Sequence, residues 1–246
     1  TRYLNPLSVA WKRAFMECTG DTGLIKQQEF YDKYVRRAKE RVVVIISDAF
    51  RFEVGQTLLK RLMEDEKCIA SIDTMQSVLP SYTRFGMSAL LPHRKLSMSR
   101  EFNVLVDGKV CDNLNSREQV LQSFVPNSRT VQFDDIKTMK IAELKEIFSG
   151  QEVVYVYHNQ IDARGDKLNT ENEVFTACEE AVEEIHTMIK RLTSANNIRF
   201  IITADHGFIY KRDKLVESDK ISGFDRENAF VGRRYIIASE GIHAEG

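Results

Sequence analysis

Hydrophobic and polar positions along the chain switch between two periods, and the switches lay out the elements. Residues 42–46 are an unbroken apolar run of Val and Ile, preceded by Arg41 and followed by Ser47-Asp48. Such a run predicts a strand buried on both faces, as in a parallel sheet. Val54, Leu58 and Leu62 then recur at helical spacing. Residues 153–157 and 200–202 are two further strand-like runs. Between them Val174, Cys178, Ala181, Val182, Ile185, Met188, Ile189 and Leu192 trace one stripe of a long amphipathic helix, with His186 beside it as a structural residue. Weaker patterns predict a strand over 68–72, a strand and turn over 104–108, surface helices over 114–124 and 139–148, and a strand over 235–238. Asp134 and Asp135 read as a loop or cap. Pro80 stops one segment, Ser81 can cap the next, and 83–91 predicts a short helix ended by Pro92. At the start, Pro6 can open a helix carrying Val9, Trp11, Phe15 and Met16, closed by the TGDTG run at 19–23. A second helix over about 24–39 places Ile25, Phe30, Tyr31 and Tyr34 on one side and Lys33, Arg36, Arg37 and Lys39 on a solvated other side.

Strands alternating with helices imply an α/β fold with a mostly parallel central sheet and helices on both faces. The domain reading is a helical lead-in over 1–40 and the sheet domain over 41–246. A length of 246 residues, 43% hydrophobic and 29% charged, fits an ordinary globular protein. No apolar run approaches the roughly 20 residues of a membrane helix. No signal peptide opens the chain, so no membrane partner is expected and the location reads as cytoplasmic. The four cysteines lie far apart without CxxC spacing, which predicts reduced thiols and no zinc framework. A net charge of −1 supplies no global attraction to nucleic acid, so such a contact needs a local basic face. Residues 211–246 are polar and basic. The chain begins at Thr1 without a Met and reads as a piece of something longer, truncated at its C-terminus.

The chemistry collects where strands end. Asp48 follows the strand at 42–46, and an acid at the carboxyl edge of a buried parallel strand suits either a ligand site or a helix N-cap. After 153–157, His158, Asp162 and Asp166 fall at four-residue intervals, with Gly165 allowing a tight turn. Carboxylates and imidazole there can meet a divalent cation. The strand at 200–202 leads to Asp205-His206-Gly207, a compact two-ligand fragment. Thr83 would sit in the first turn of its helix, where a phosphate group is favoured, although Thr in a first turn is commonly structural. In a parallel sheet the strand ends share one edge, so these motifs can converge. His243, in the tail, is unassigned. One hydroxyl, several carboxylate or imidazole groups and a helix start together suit metal-assisted attack on a phosphate ester.

The segments SDAFRFE, PSYTRFGMSALLPH, YHNQIDARGDK and TADHGF, in that order, resemble the PglZ-domain branch of the alkaline phosphatase superfamily, found in bacterial phage-defence systems. The resemblance covers about residues 40–240. It implies two divalent ions, usually zinc, bridged by substrate. It matches Asp48, Thr83, Asp205 and His206 to the ion that serves the nucleophile, and Asp162 and Asp166 to the second ion. Asp166 stands where many relatives carry His, which makes the second set richer in oxygen and shifts preference towards Mn²⁺ or Mg²⁺. A further second-site His expected in an HGG-type motif is missing, and His243 is a poor match. The resemblance implies a phosphodiesterase or phosphatase for a nucleotide or nucleic-acid-like phosphate ester, acting beside other phage-defence proteins. Thr83 would be its nucleophile, with Arg51 or Arg84 neutralising the non-bridging oxygens. The alternative is a non-catalytic scaffold in a defence assembly.

Overall fold

The computed structural model describes residues 3–18, 22–165, 173–209, 229–232 and 235–238. The chain runs α1 (Leu4–Glu17), β1 (Ile25–Lys26), two short helical turns (Gln27–Glu29 and Tyr31–Val35), β2 (Val42–Ser47), α2 (Phe52–Met63), β3 (Met75–Gln76), α3 (Thr83–Ala89), β4 (Leu96–Met98), β5 (Val104–Val106), β6 (Lys109–Val110), α4 (Leu114–Phe124), β7 (Ser128–Gln132), α5 (Phe133–Ile136), α6 (Ile141–Phe148), β8 (Val153–His158), α7 (Gln160–Gly165), α8 (Val174–Ser194), β9 (Arg199–Thr203), β10 (Ala229–Val231) and β11 (Ile236–Ala238). These elements fall into two units. One comprises Ile25–Ser97 and Val104–Phe208, the other Thr1–Leu24, Met98–Asn103 and Ile209–Gly246.

The larger unit is built on a parallel four-stranded sheet of order β7-β8-β2-β9. The apolar run puts β2 in the interior of this sheet, and Val42 to Ile46 are fully buried. Each such branched side chain contributes about 1.5–3 kcal/mol by leaving water. The pleat sends alternate residues to opposite faces. Val42, Val44 and Ile46, with Tyr155 and Tyr157 of β8, join Phe30, Tyr31, Val35, Met87, Leu90 and Leu121 in one core cluster. Val43, Ile45, Val154 and Val156 face the other way and are equally buried. On that side His158 reaches Glu184 of α8 and Phe133 of α5. The sheet is therefore covered by helices on both faces, as the alternation of patterns predicts.

The smaller unit contains α1, where Trp11 stacks on Phe15 at 4.9 Å, and the antiparallel pair β10–β11. Phe230 of β10 lies 6.4 Å from Phe102 and 6.0 Å from Tyr235. The expected strand at 235–238 is β11. The basic residues Lys211, Arg212, Lys214, Arg226, Arg233 and Arg234, together with Asp166 and His243, lie outside the described residues.

Several expectations need correction. Residues 24–39 are not one continuous helix. They form β1, paired in parallel with β3, and two helical turns whose Phe30, Tyr31 and Val35 enter the core. The aromatic spacing was right for a buried face, but tertiary pairing overrode helix propensity. Residues 68–72 carry no strand, and Ile69 is fully exposed. β7, unmarked in the sequence, is an edge strand of polar and apolar residues with only part of its length buried, so it has no hydrophobic run to reveal it. Asp134 and Asp135 open the helical turn α5, where acid complements the helix dipole. Residues 160–165, for which the sequence predicts no element beyond a tight turn at Gly165, form α7.

Candidate active site

β2, β8 and β9 run in register, with Ile46 opposite Thr203 and Ser47 opposite His158. Two residues beyond that rung, Asp48 and Asp205 come level at the carboxyl edge. The backbone turns sharply after β2. Asp48 N donates to His158 O at 2.8 Å, and Phe50 N to Ser47 O at 3.2 Å. Between them Ala49 adopts a left-handed conformation with φ of 62°, at a cost of about 1–2 kcal/mol. That turn aims the Ala49 N–H at Asp205 Oδ1, 3.1 Å away.

Asp48 is 5% exposed and Asp205 fully buried. His206 Nε2 lies 3.3 Å from Asp48 Oδ1 and 3.6 Å from Asp205 Oδ2. Its Nδ1 sits 3.1 Å from Gly207 O. Thr83 Oγ1, from the first residue of α3, is 3.1 Å from the same Nε2. Thr83, Asp48, Asp205 and His206, drawn from three separate segments, thus meet at one point.

Packing brings α3 there. Its Met87, with Leu90 and Leu91 just past its end, sits in the core cluster, and Tyr155 donates its hydroxyl hydrogen to Leu90 O at 2.9 Å. Gly86 allows the closest approach: a Cβ at that position would lie 2.1 Å from Asp205 O. Backbone meets backbone there, with no room for any other residue. The helix cap differs from expectation, because Tyr82 and not Ser81 occupies the N-cap, and its side chain does not cap the helix. With seven residues, α3 adds little dipole of its own. Thr83 owes its place to packing.

The donor set fits a divalent cation. Ligand atoms of Asp48, Asp205 and His206 all lie within 4.8 Å of one another. Asp48 Oδ1 and Asp205 Oδ2 are buried and accept no hydrogen bond. Buried carboxylate oxygens without donors are costly unless a cation compensates them. Two carboxylates and an imidazole are suitable ligands for zinc or a harder divalent ion. Protonation of the ion-free cluster tells the same story. Burial, and then the Asp48 charge, push the Asp205 carboxyl well above the usual carboxylate range. Burial opposes a charged His206, but the Asp48 and Asp205 carboxylates outweigh it and push the imidazole up to about 9. A proton takes the role that a cation could fill.

The remaining predicted residues lie elsewhere. His158 does not join the cluster. It shares the pleat phase of Ser47, so its ring points to the face opposite Asp48. There Nδ1 lies 2.9 Å from Ser47 Oγ and Nε2 3.0 Å from Glu184 Oε2, and both nitrogens are occupied. The period of two already carried this information, since His158 continues the phase of Val154 and Val156. Asp162 is half-buried in the first turn of α7 and is not among the clustered ligands. The Arg51 guanidinium lies over the Phe208 ring at 4.6 Å and the Phe175 ring at 5.7 Å, with Glu53 Oε2 at 3.5 Å. Its stem passes the Gly207 backbone, where an added Cβ would sit 3.8 Å from Arg51 Cγ. Arg51 is thus built into the wall beside the ligand loop. Arg84 is exposed, one residue past Thr83. Sequence reasoning missed Gln27, buried against the backbone of Ala204 and Asp205.

Comparison with known proteins gives the chain its family. The family model described as the BREX system PglZ alkaline phosphatase-like domain matches residues 28–246. An alkaline phosphatase-like protein PglZ from Bacillus cereus (strain H3081.97) is 39% identical over 99% of this chain and 30% of its own length. An alkaline phosphatase-like protein BrxZ from Escherichia coli O9:H4 (strain HS) is 33% identical over 97% of the chain and 29% of its own. The chain therefore spans about 30% of the length of these curated relatives. With the match running across all the segments that meet at Asp48, the chain belongs to the PglZ family of alkaline phosphatase-like domains of BREX systems.

Proposed function

We propose that this domain is a metal-dependent phosphohydrolase, a phosphodiesterase or phosphatase for nucleotide or nucleic-acid-like esters, with Thr83 as nucleophile. It would act beside other phage-defence proteins. The carrying observation is the meeting of Thr83 Oγ1 with His206 Nε2 at 3.1 Å, beside the buried, undonated oxygens of Asp48 and Asp205.

Asp48, Asp205 and His206 would hold one ion, zinc or else Mn²⁺ or Mg²⁺. A bound divalent cation would favour the alkoxide form of Thr83 and offset charge on the phosphate. Thr83 Oγ1 gives up its proton, bonds to phosphorus and expels the ester alcohol. Water then cleaves the phospho-threonine and restores the hydroxyl. Family resemblance assigns Asp162 and Asp166 to a second ion. Arg84, exposed beside Thr83, is the better candidate to meet the non-bridging oxygens, whereas Arg51 is committed to the Phe208 wall.

The test is hydrolysis of an aryl phosphodiester and an aryl phosphate monoester with Zn²⁺ or Mn²⁺ present. Thr83→Ala should lose about 10³-fold or more of the turnover. Equal rates for parent and variant would overturn the nucleophile. A folded parent chain that retains no ion after addition would favour the scaffold reading.

A further inference from the structure

Gln27 lies in a helical turn at the start of the larger unit, directly after β1 but far in sequence from the ends of β2, β8 and β9. It is 1% exposed, yet its amide is fully engaged. Nε2 donates to Asp205 O at 2.6 Å and to Ala204 O at 3.2 Å. Oε1 accepts from Val78 N at 3.1 Å, and Ser77 Oγ lies 3.5 Å from it. Only an amide offers two donor hydrogens on one side and acceptor lone pairs on the other. The orientation follows from the partners, since the flipped amide would set oxygen against two carbonyls and NH₂ against an N–H.

Those partners are the two arms of the site. Ala204 and Asp205 lead from β9 into His206, and Ser77 and Val78 lead from β3 towards Thr83. The parallel pair β1–β3, with Lys26 opposite Gln76, ends one residue before the amide takes over, so Gln27 continues that ladder with its side chain. The Asp205 carbonyl is held by Gln27 and overlain by Gly86, and so cannot rotate freely. Gln27 also grips two backbone segments without adding charge beside two carboxylates and an imidazole.

We propose that Gln27 is a positioning residue, which locks the Asp205–His206 ligand peptide to the segment leading to Thr83 and so sets the geometry of the cation site. The ligand part of this inference rests on the function proposed above; the locking part does not. Partners held behind metal ligands typically change metal affinity by about 10–100-fold when removed.

The test uses the whole chain and Gln27→Glu, which turns the donor edge into an acceptor, with Gln27→Met as a near-isosteric neutral variant should the charge prevent folding. Hydrogen exchange is followed without metal, and Mn²⁺ affinity is measured by calorimetry. The expected result is faster exchange confined to residues 77–82 and 203–208 in a chain that still melts cooperatively, with Mn²⁺ binding weakened about 10–100-fold. Unchanged local exchange in a folded variant would overturn the lock. Uniformly faster exchange with Mn²⁺ affinity retained would show a general structural role and also overturn the inference. A parent that binds no Mn²⁺ or Zn²⁺ would sink the cation site, and exchange alone would then decide the lock.

Discussion

At the scale of single residues, the site is a local charge problem. Asp205 Oδ1 has the Ala49 N–H, but Oδ2 faces Asp48 without a donor. Asp205→Asn keeps the first bond and replaces a carboxyl that must hold a proton with a permanently neutral amide that can donate towards Asp48. The expected outcome is a higher melting temperature for the ion-free chain, by roughly 2–4 °C for about 1 kcal/mol, with loss of any ion-induced rise. Scanning calorimetry with and without Mn²⁺ checks both. The pH dependence has a definite sign. His206 has its pKa raised from 6.5 to about 9, so its ion-free contribution is fully present below 6.5 and is lost as pH climbs through about 9. Asp205, also raised, acts in the same direction. An ion must displace these protons, so apparent Mn²⁺ affinity should increase over that window, with proton release visible as a buffer-dependent binding enthalpy. Constant affinity between pH 6.5 and 9 would show that no proton on His206 or Asp205 competes with the ion over that window. Asp48, Thr83, Asp205 and His206 were legible beforehand because each sits at the start or end of an element that its own pattern marks. Gln27 was not. Its partners are 51 and 178 residues away, and no local period reports contacts at that range.

At the scale of elements, glycines give a paired test. Gly86→Ala would push α3 off the Asp205 backbone, because the new Cβ meets main chain at 2.1 Å that cannot swing aside. The expected cost is about 1–3 kcal/mol or more, with turnover lost alongside as Thr83 moves from His206. Gly55→Ala in α2 meets only the Ile72 and Phe50 side chains, at 3.3 and 3.7 Å. It should be neutral or gain up to about 1 kcal/mol of helix propensity. Denaturant midpoints for both variants decide this. His158 supplies a contrast of another kind. His158→Ala should destabilise the chain by about 1–3 kcal/mol, by leaving Ser47 and Glu184 without their shared partner, while Mn²⁺ stoichiometry stays the same. A lost ion in that variant would restore His158 to the ligand set.

At the scale of the whole molecule, an ion bound only by the folded chain stabilises it by mass action. At about 100 times its dissociation constant the gain is about 2.7 kcal/mol, or roughly 5–10 °C for a chain of this size. Chelation should reverse the shift, and the rise should be absent in Asp48→Asn. Among the described residues no helix is long and apolar enough to cross a membrane. No disulfide joins the four cysteines among the described residues; Cys111 and Cys178 are buried, and burial raises both thiols.

The sequence by itself determined the class of fold, the central strand at 42–46, the long helix around 174–192 and the identity of the acids that end the strands. Those are consequences of periods of two and 3.6, which are local. Tertiary structure decided which acids actually meet. Register brought Asp48 level with Asp205, pleat phase turned His158 to the far face, and the bare Cα of Gly86 let Thr83 close on His206. It also broke the expected helix over residues 25–35 into a short strand and two helical turns, and made Gln27 a bridge between the two arms of the site. Distances between segments far apart in sequence depend on packing and register, and no single stretch of the chain encodes them.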